Sequence, residues 1–470
     1  MVHRYNAVVD LIRKQIEAGT LKVGDRLPSI RQLSQLTGFS TVTICHGYEL
    51  LESQGVCTAR PRSGYFVARM PMQLGDFPTG EENQVEPLPI QDIPQDLLPS
   101  WRKKQPIAFA SPFPSPDLFD TTELDVIMRR VLRGRTKQDN GPVGGNIELR
   151  LEIAKQLAQR GIICRFEEIV ITGTAIQSLN LCLDALTEPN DIVLVESPSY
   201  PQMLASIKQR NLRVLEIYSH PRTGTDPDQF EYLVRNNKVR AAILMPNHQI
   251  PSGTHYSNQA MRRIVLAAHE NGTTIIENDM LADLRYSGDK PTSLKQFDPD
   301  DVVLQFGSFE YTLSAEYGHG WVIAGKHTRR LLAAAYLGGH LANDDRRQSV
   351  VADFLGNRGH SRQSRRLREN LAQRMNHGLQ LLADTMPSGC GISRPTGGFM
   401  CWIRVPRPFA VSAIAPALYK QDIGILPGPL FSATRSFENF FALNLSFPWT
   451  EANTGKIVKL ADMIGKAIKG

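Results

Sequence analysis

Arg26, Arg31, Arg60 and Arg62 recur through a stretch that also holds Ser29, Ser40, Thr41, Thr43, His46, Ser63, Gly64 and Tyr65. Guanidinium groups take phosphate oxygens bidentately, while short hydroxyls and an imidazole reach phosphates and base edges. This set of side chains therefore suits a nucleic-acid duplex. Residues 1–69 carry nine Lys or Arg against five Asp or Glu, and binding through such an excess is driven by counterion release. The whole chain of 470 residues has a net charge of only +6. Nucleic-acid binding thus rests on the local patch rather than on a generally basic protein.

The elements that must position these groups follow from the pattern. Val8, Leu11, Ile12 and Ile16 recur at helical spacing until Gly19 and Gly24. Ser29 is placed to cap a second helix with Ile30, Leu33 and Leu36 on one face, and Gly38 ends it. Ser40 suits the cap of a third, with Ile44, Tyr48 and Leu51 turned inward and Thr41, Thr43 and His46 left to face a groove. Two short helices about a Gly-containing turn make a helix-turn-helix, whose second helix fits the major groove. After Gly55, the run Arg60 to Val67 reads as a hairpin wing with a basic tip.

From Tyr5 to Val67 the chain resembles the winged-helix domain of GntR-type bacterial regulators. The likeness runs through G-x-L-x-x-G-x-x-L-P-S-x-R-x-L, a Tyr-x-x-Leu-Glu helix and R-S-G-Y-F-V. It implies that Arg31, Thr43 and Arg62 contact a double-stranded DNA operator. Thr41 stands where many members have Arg, which implies a missing base or phosphate contact and an altered operator.

Hydrophobic residues make up 41% of the chain, enough for a large core beside the small head. The six cysteines are scattered without a C-x-x-C pair, which argues against a zinc site and against a disulfide framework. No signal-peptide layout opens the chain and no apolar run approaches 18 residues, so a cytoplasmic protein with no membrane segment is expected. We divide it into a head at residues 1–69, a Pro-rich linker at 70–106 and a body at 107–470. In the body, IVIT at 169–172, DIVLVES at 191–197, AAILMP at 241–246, TTIIEND at 273–279, VVLQFGS at 302–308 and GWVIAG at 320–325 are candidate buried strands. Amphipathic stretches such as 177–186 and 258–271 alternate with them, so the body is α/β with a mostly parallel sheet and its site at the strand C-termini.

Those ends carry TGTAIQSLNL, VESPSYP, MPNHQIPSG, ENDMLADL and GSFEYTLSAEYGHGW. In order and spacing they resemble fold type I aminotransferases. With the head, the arrangement resembles the MocR subfamily of GntR regulators, with a small C-terminal α+β subdomain from about residue 345. That family binds pyridoxal phosphate in the body, usually to sense metabolites.

Carried over residue by residue, the cofactor contacts are altered. The family's Schiff-base lysine falls at Tyr311, whose phenol forms no imine. The carboxylate for the pyridine nitrogen falls at Asn278, with Asp279 adjacent as a second candidate. The ring-hydroxyl partners fall at Leu281 and Ile250, the phosphate-gripping Arg at Gly318, and a phosphate-binding Ser at Glu310. The substrate-clamping Arg falls at Ala442. Thr174 and Ala175 still open a helix whose amides suit an anion, Tyr200 keeps an aromatic, and Ser308 keeps a hydroxyl. The expectation is a regulator that is no enzyme. Its body dimerises and senses a small-molecule effector. Pyridoxal phosphate, if held at all, is held non-covalently or through Lys290, Lys295 or Lys326, which would make the chain a pyridoxal-phosphate-dependent regulator or an aminotransferase.

Overall fold

The computed structural model describes residues 4–18, 20–22, 24–53, 56–60, 64–68, 86–87, 109–134, 143–288, 290–338 and 344–469. The head comprises α1 (Arg4–Glu17), α2 (Ile30–Thr37), α3 (Thr41–Ser53) and the hairpin of β1 (Cys57–Arg60) and β2 (Gly64–Val67). Ser29 caps α2 in a capping box with Gln32, and Gly38 closes it at φ 72°, a left-handed backbone that favours glycine. Val8, Ile12, Leu33, Ile44, Tyr48 and Leu51 form the head's core. Gly47 lets α1 close on α3, because a Cβ there would lie 2.7 Å from Val8 Cγ1. The hairpin runs in register from Cys57↔Val67 to Arg60↔Gly64. The expected wing tip, with Arg62 and Ser63, lies outside the described residues.

Among the described residues, β3 (Glu86–Pro87) pairs with the edge of the body's main sheet. The stretch read as a Pro-rich linker therefore contributes a short strand. Along the chain follow α4 (Thr122–Gly134), α5 (Ile147–Gln159), β4 (Ile169–Thr172), α6 (Ala175–Leu186), β5 (Ile192–Ser197), α7 (Pro201–Gln209), β6 (Arg213–His220) and β7 (Gly224–Thr225). Then come α8 (Pro227–Asn236), β8 (Val239–Leu244), α9 (Asn258–Glu270), β9 (Thr274–Asn278), β10 (Val303–Ser308), β11 (Gly320–Ile323) and α10 (Thr328–Leu337). The main sheet runs β3-β6-β5-β8-β9-β10-β11-β4, with β7 on β6. Strands β6, β5, β8, β9 and β10 are mutually parallel, while β11 is antiparallel to both its neighbours. Thr172, Ser197, Asn278 and Ser308 consequently end their strands at one edge, as the pattern predicts.

After α11 (Asp345–Gly356) and the 28-residue α12 (Arg358–Thr385) comes a smaller antiparallel sheet. It is built from β12 (Gly391–Ile392), β13 (Met400–Arg404), β14 (Leu426–Pro427) and β15 (Phe440–Asn444), in the order β12-β13-β15-β14. Helices α13 (Val411–Tyr419) and α14 (Glu451–Lys469) complete the unit. Among the described residues all six cysteines are free, no group of side chains is arranged to hold a metal, and no helix is long and apolar enough to cross a membrane.

Candidate functional site

The head's polar groups differ in exposure and in what they do for the fold. Arg26, Arg31, Thr41 and His46 are exposed. Ser29 is exposed too, yet its hydroxyl accepts the Gln32 N–H and serves as a cap. Ser40 Oγ accepts the Thr43 N–H at 3.2 Å and sits 2.9 Å from Thr43 Oγ1. Thr43, read as groove-facing, is therefore half-buried with its hydroxyl tied to the cap of α3. Tyr65 also has a part in the fold. Its ring packs edge-on against Tyr48 at 5.0 Å, so it fastens the wing to the helices. Gly64 lies against Arg26, where an added Cβ would sit 3.3 Å from Nε. Arg60 belongs to β1 beside the wing. Val42, absent from the sequence reading, is 63% exposed in the first turn of α3.

In the body, Tyr311 is fully buried where β10 runs into the next loop, stacked between Phe113 at 5.6 Å and Phe399 at 6.1 Å. Phe113 precedes α4 and Phe399 comes from the small unit, so three separate segments close over one ring. Neither phenylalanine was anticipated; only the glycine pair before Phe399 marks a close approach in sequence. Tyr200 lies beside Tyr311, and burial pushes both phenols well above their ordinary pKa. The two hydroxyls are close enough to interact, but that of Tyr200 makes no hydrogen bond of good geometry. Leu281 is buried in the same apolar cluster.

The anion cup at the start of α6 is filled from within. Thr174 caps the helix through the Gln177 N–H at 3.0 Å. Glu310 Oε2 then accepts both the Ala175 N–H at 2.8 Å and the Ser308 hydroxyl at 2.9 Å. Burial raises the Glu310 pKa, and these two donors together with nearby His319 pull it back toward the charged form. Gly318 supplies the room, since a Cβ there would meet Glu310 Cγ at 2.5 Å. A long cation at position 318 and this Glu310 rotamer exclude one another. His319, also unforeseen, is held by Asp344 at 3.0 Å.

Asn278 and Asp279 point in different directions, as successive residues at a strand end do. The Asn278 amide reaches only Met203 Sδ at 3.7 Å, while its oxygen accepts the Met280 N–H. Asp279 is not part of the Tyr311 cluster. It forms a buried ion pair with Arg160 at 2.6 Å and accepts from Asn247. The notion that it replaces the carboxylate at Asn278 is therefore corrected. The substitute lysines are engaged or remote: Lys295 pairs with Asp298 and Asp301, Lys326 Nζ donates to the Asp300 carbonyl, and Lys290 is exposed. These residues do not fit pyridoxal phosphate. Position 311 offers no amine, position 278 no carboxylate, and the phosphate cup already holds a carboxylate.

A winged helix joined to a fold type I aminotransferase-like body defines the class of protein. The model for bacterial regulatory proteins of the gntR family matches residues 4–67, and that for aminotransferase class I and II matches residues 115–444. The HTH-type transcriptional regulator YdcR of Escherichia coli is 33% identical over 98% of this chain and 99% of its own. The HTH-type pyridoxine biosynthesis transcriptional regulator PdxR of Corynebacterium glutamicum is 26% identical over 77% of this chain and 75% of its own. The multiple substrate aminotransferase of Thermococcus profundus superposes with a TM-score of 0.75 at 22% identity, covering 81% of this chain and 96% of its own. The chain belongs to the gntR-type transcriptional regulators that carry an aminotransferase class I and II domain.

Proposed function

We propose that this regulator binds a double-stranded DNA operator through its head while its aminotransferase-like body neither transaminates nor anchors pyridoxal phosphate. The contact of the Glu310 carboxylate with the Ala175 N–H and the Ser308 hydroxyl carries the reading. A carboxylate there repels a phosphate and already takes two of the donors a phosphate would use. The exposed Arg26 and Arg31, with Arg60, Arg62 and Ser63 of the wing, supply phosphate contacts, and the first turn of α3 reads bases.

The body then acts as a homodimerisation unit that senses a small molecule. With Gly318 and Ala442 in place of two cations and Glu310 adding an anion, an effector of neutral or positive charge fits best. It acts by binding one placement of the two heads more tightly than another. The test is the absorption spectrum of the protein as purified and dialysed, with no cofactor added, before and after borohydride reduction. The expected result is a colourless protein without a reduced covalent adduct. A visible band that borohydride converts into a stable pyridoxyl-protein would contradict the proposal.

A further inference from the structure

The packing of α3 fixes which of its side chains a groove can meet. Ile44, Tyr48 and Leu51 are buried, and Gly47 brings the Val8 side chain against the helix backbone. At about 100° per residue, the direction opposite this packed face is shared by Val42 and His46, one turn apart. Both are exposed, Val42 to 63%. Ser40 and Thr43 cap the helix.

Valine has no donor or acceptor, so at this place it can neither cap the helix nor hold a phosphate. On the base edges of the major groove, the complementary feature is the C5 methyl group of thymine. We propose that Val42 is a specificity-determining residue that packs on a thymine methyl in the operator. His46, on the following turn, lies over an adjacent base pair. The chemistry differs from that of an arginine, which reads guanine. The inference rests on the DNA-binding reading of the head.

The experiment selects sites from a random duplex library with the full-length protein. Each enriched thymine is then replaced singly by deoxyuridine, which removes only the methyl group. Wild type is expected to lose about fourfold in affinity at one thymine position, the factor that burial of one such group gives. Val42→Ala should start about that much weaker and lose nothing further at the same position. Its unfolding curve should match that of wild type, because the side chain is exposed. Equal deoxyuridine losses for both proteins, or no sensitive thymine for wild type, would overturn the role of Val42. Absence of any enriched sequence would overturn the DNA-binding reading beneath it as well.

Discussion

In the head, Arg26, Arg31 and His46 are exposed, whereas in the body the donors at the start of α6 and at Ser308 are met by the protein's own Glu310. The head matches the gntR family of bacterial regulatory proteins and the body aminotransferase class I and II. The first remains open, with cationic side chains presented to solvent. In the second, side chains meet one another: Glu310 accepts from the Ala175 N–H and the Ser308 hydroxyl, and Tyr311 sits in an aromatic stack between Phe113 and Phe399. Exposed polar groups are satisfied by water, whereas donors at a buried site are costly unless they are paired, and Glu310 pairs these.

The contrast can be broken at either end. The largest effect is expected at Tyr311, where truncation to alanine leaves a cavity in a packed core. Tyr311→Ala should lower the stability of the body by about 3–5 kcal/mol in denaturant unfolding, leaving the head's affinity for DNA unchanged under native conditions. A shift below about 0.5 kcal/mol, the range of ordinary surface changes, would show that the ring is not part of the packing. Arg31→Ala should act in the opposite sense, sparing the body's unfolding while weakening DNA binding about tenfold at moderate salt. Removing one phosphate contact should also reduce the slope of log affinity against log salt concentration by about one unit. An unchanged slope would place Arg31 away from the phosphates.

Much of this was legible in sequence because the signals are local. Ser29, Gly38 and Ser40 mark the ends of α2 and α3, and the apolar runs at 169–172 and 302–308 became β4 and β10 almost to the residue. Strand β6 escaped notice because its half-buried alternation, with charged and polar side chains interleaved, lacks the continuous apolar run of the central strands. The Tyr311 substitution was visible, but not what fills the space around it, since Phe113 and Phe399 arrive from segments far apart in the chain. Gly318 read only as a lost arginine. Its positive role, making room for Glu310, is a matter of three-dimensional contact. The tie between the Thr43 hydroxyl and the cap of α3 was not legible, because helical spacing alone does not show which neighbour a hydroxyl meets. Asp279 was ambiguous for the same reason, until Arg160 claimed it.

On the proposed reading, Glu310 keeps the phosphate cup closed to an outside anion. This closure is tested most directly by calorimetric titration of pyridoxal phosphate into wild type and into the double variant Glu310→Ser with Gly318→Arg, which returns a hydroxyl and a cation to the cup. Wild type should give no binding heat and the double variant a saturable isotherm. Saturable binding to wild type with an affinity that the two substitutions leave unchanged would contradict it.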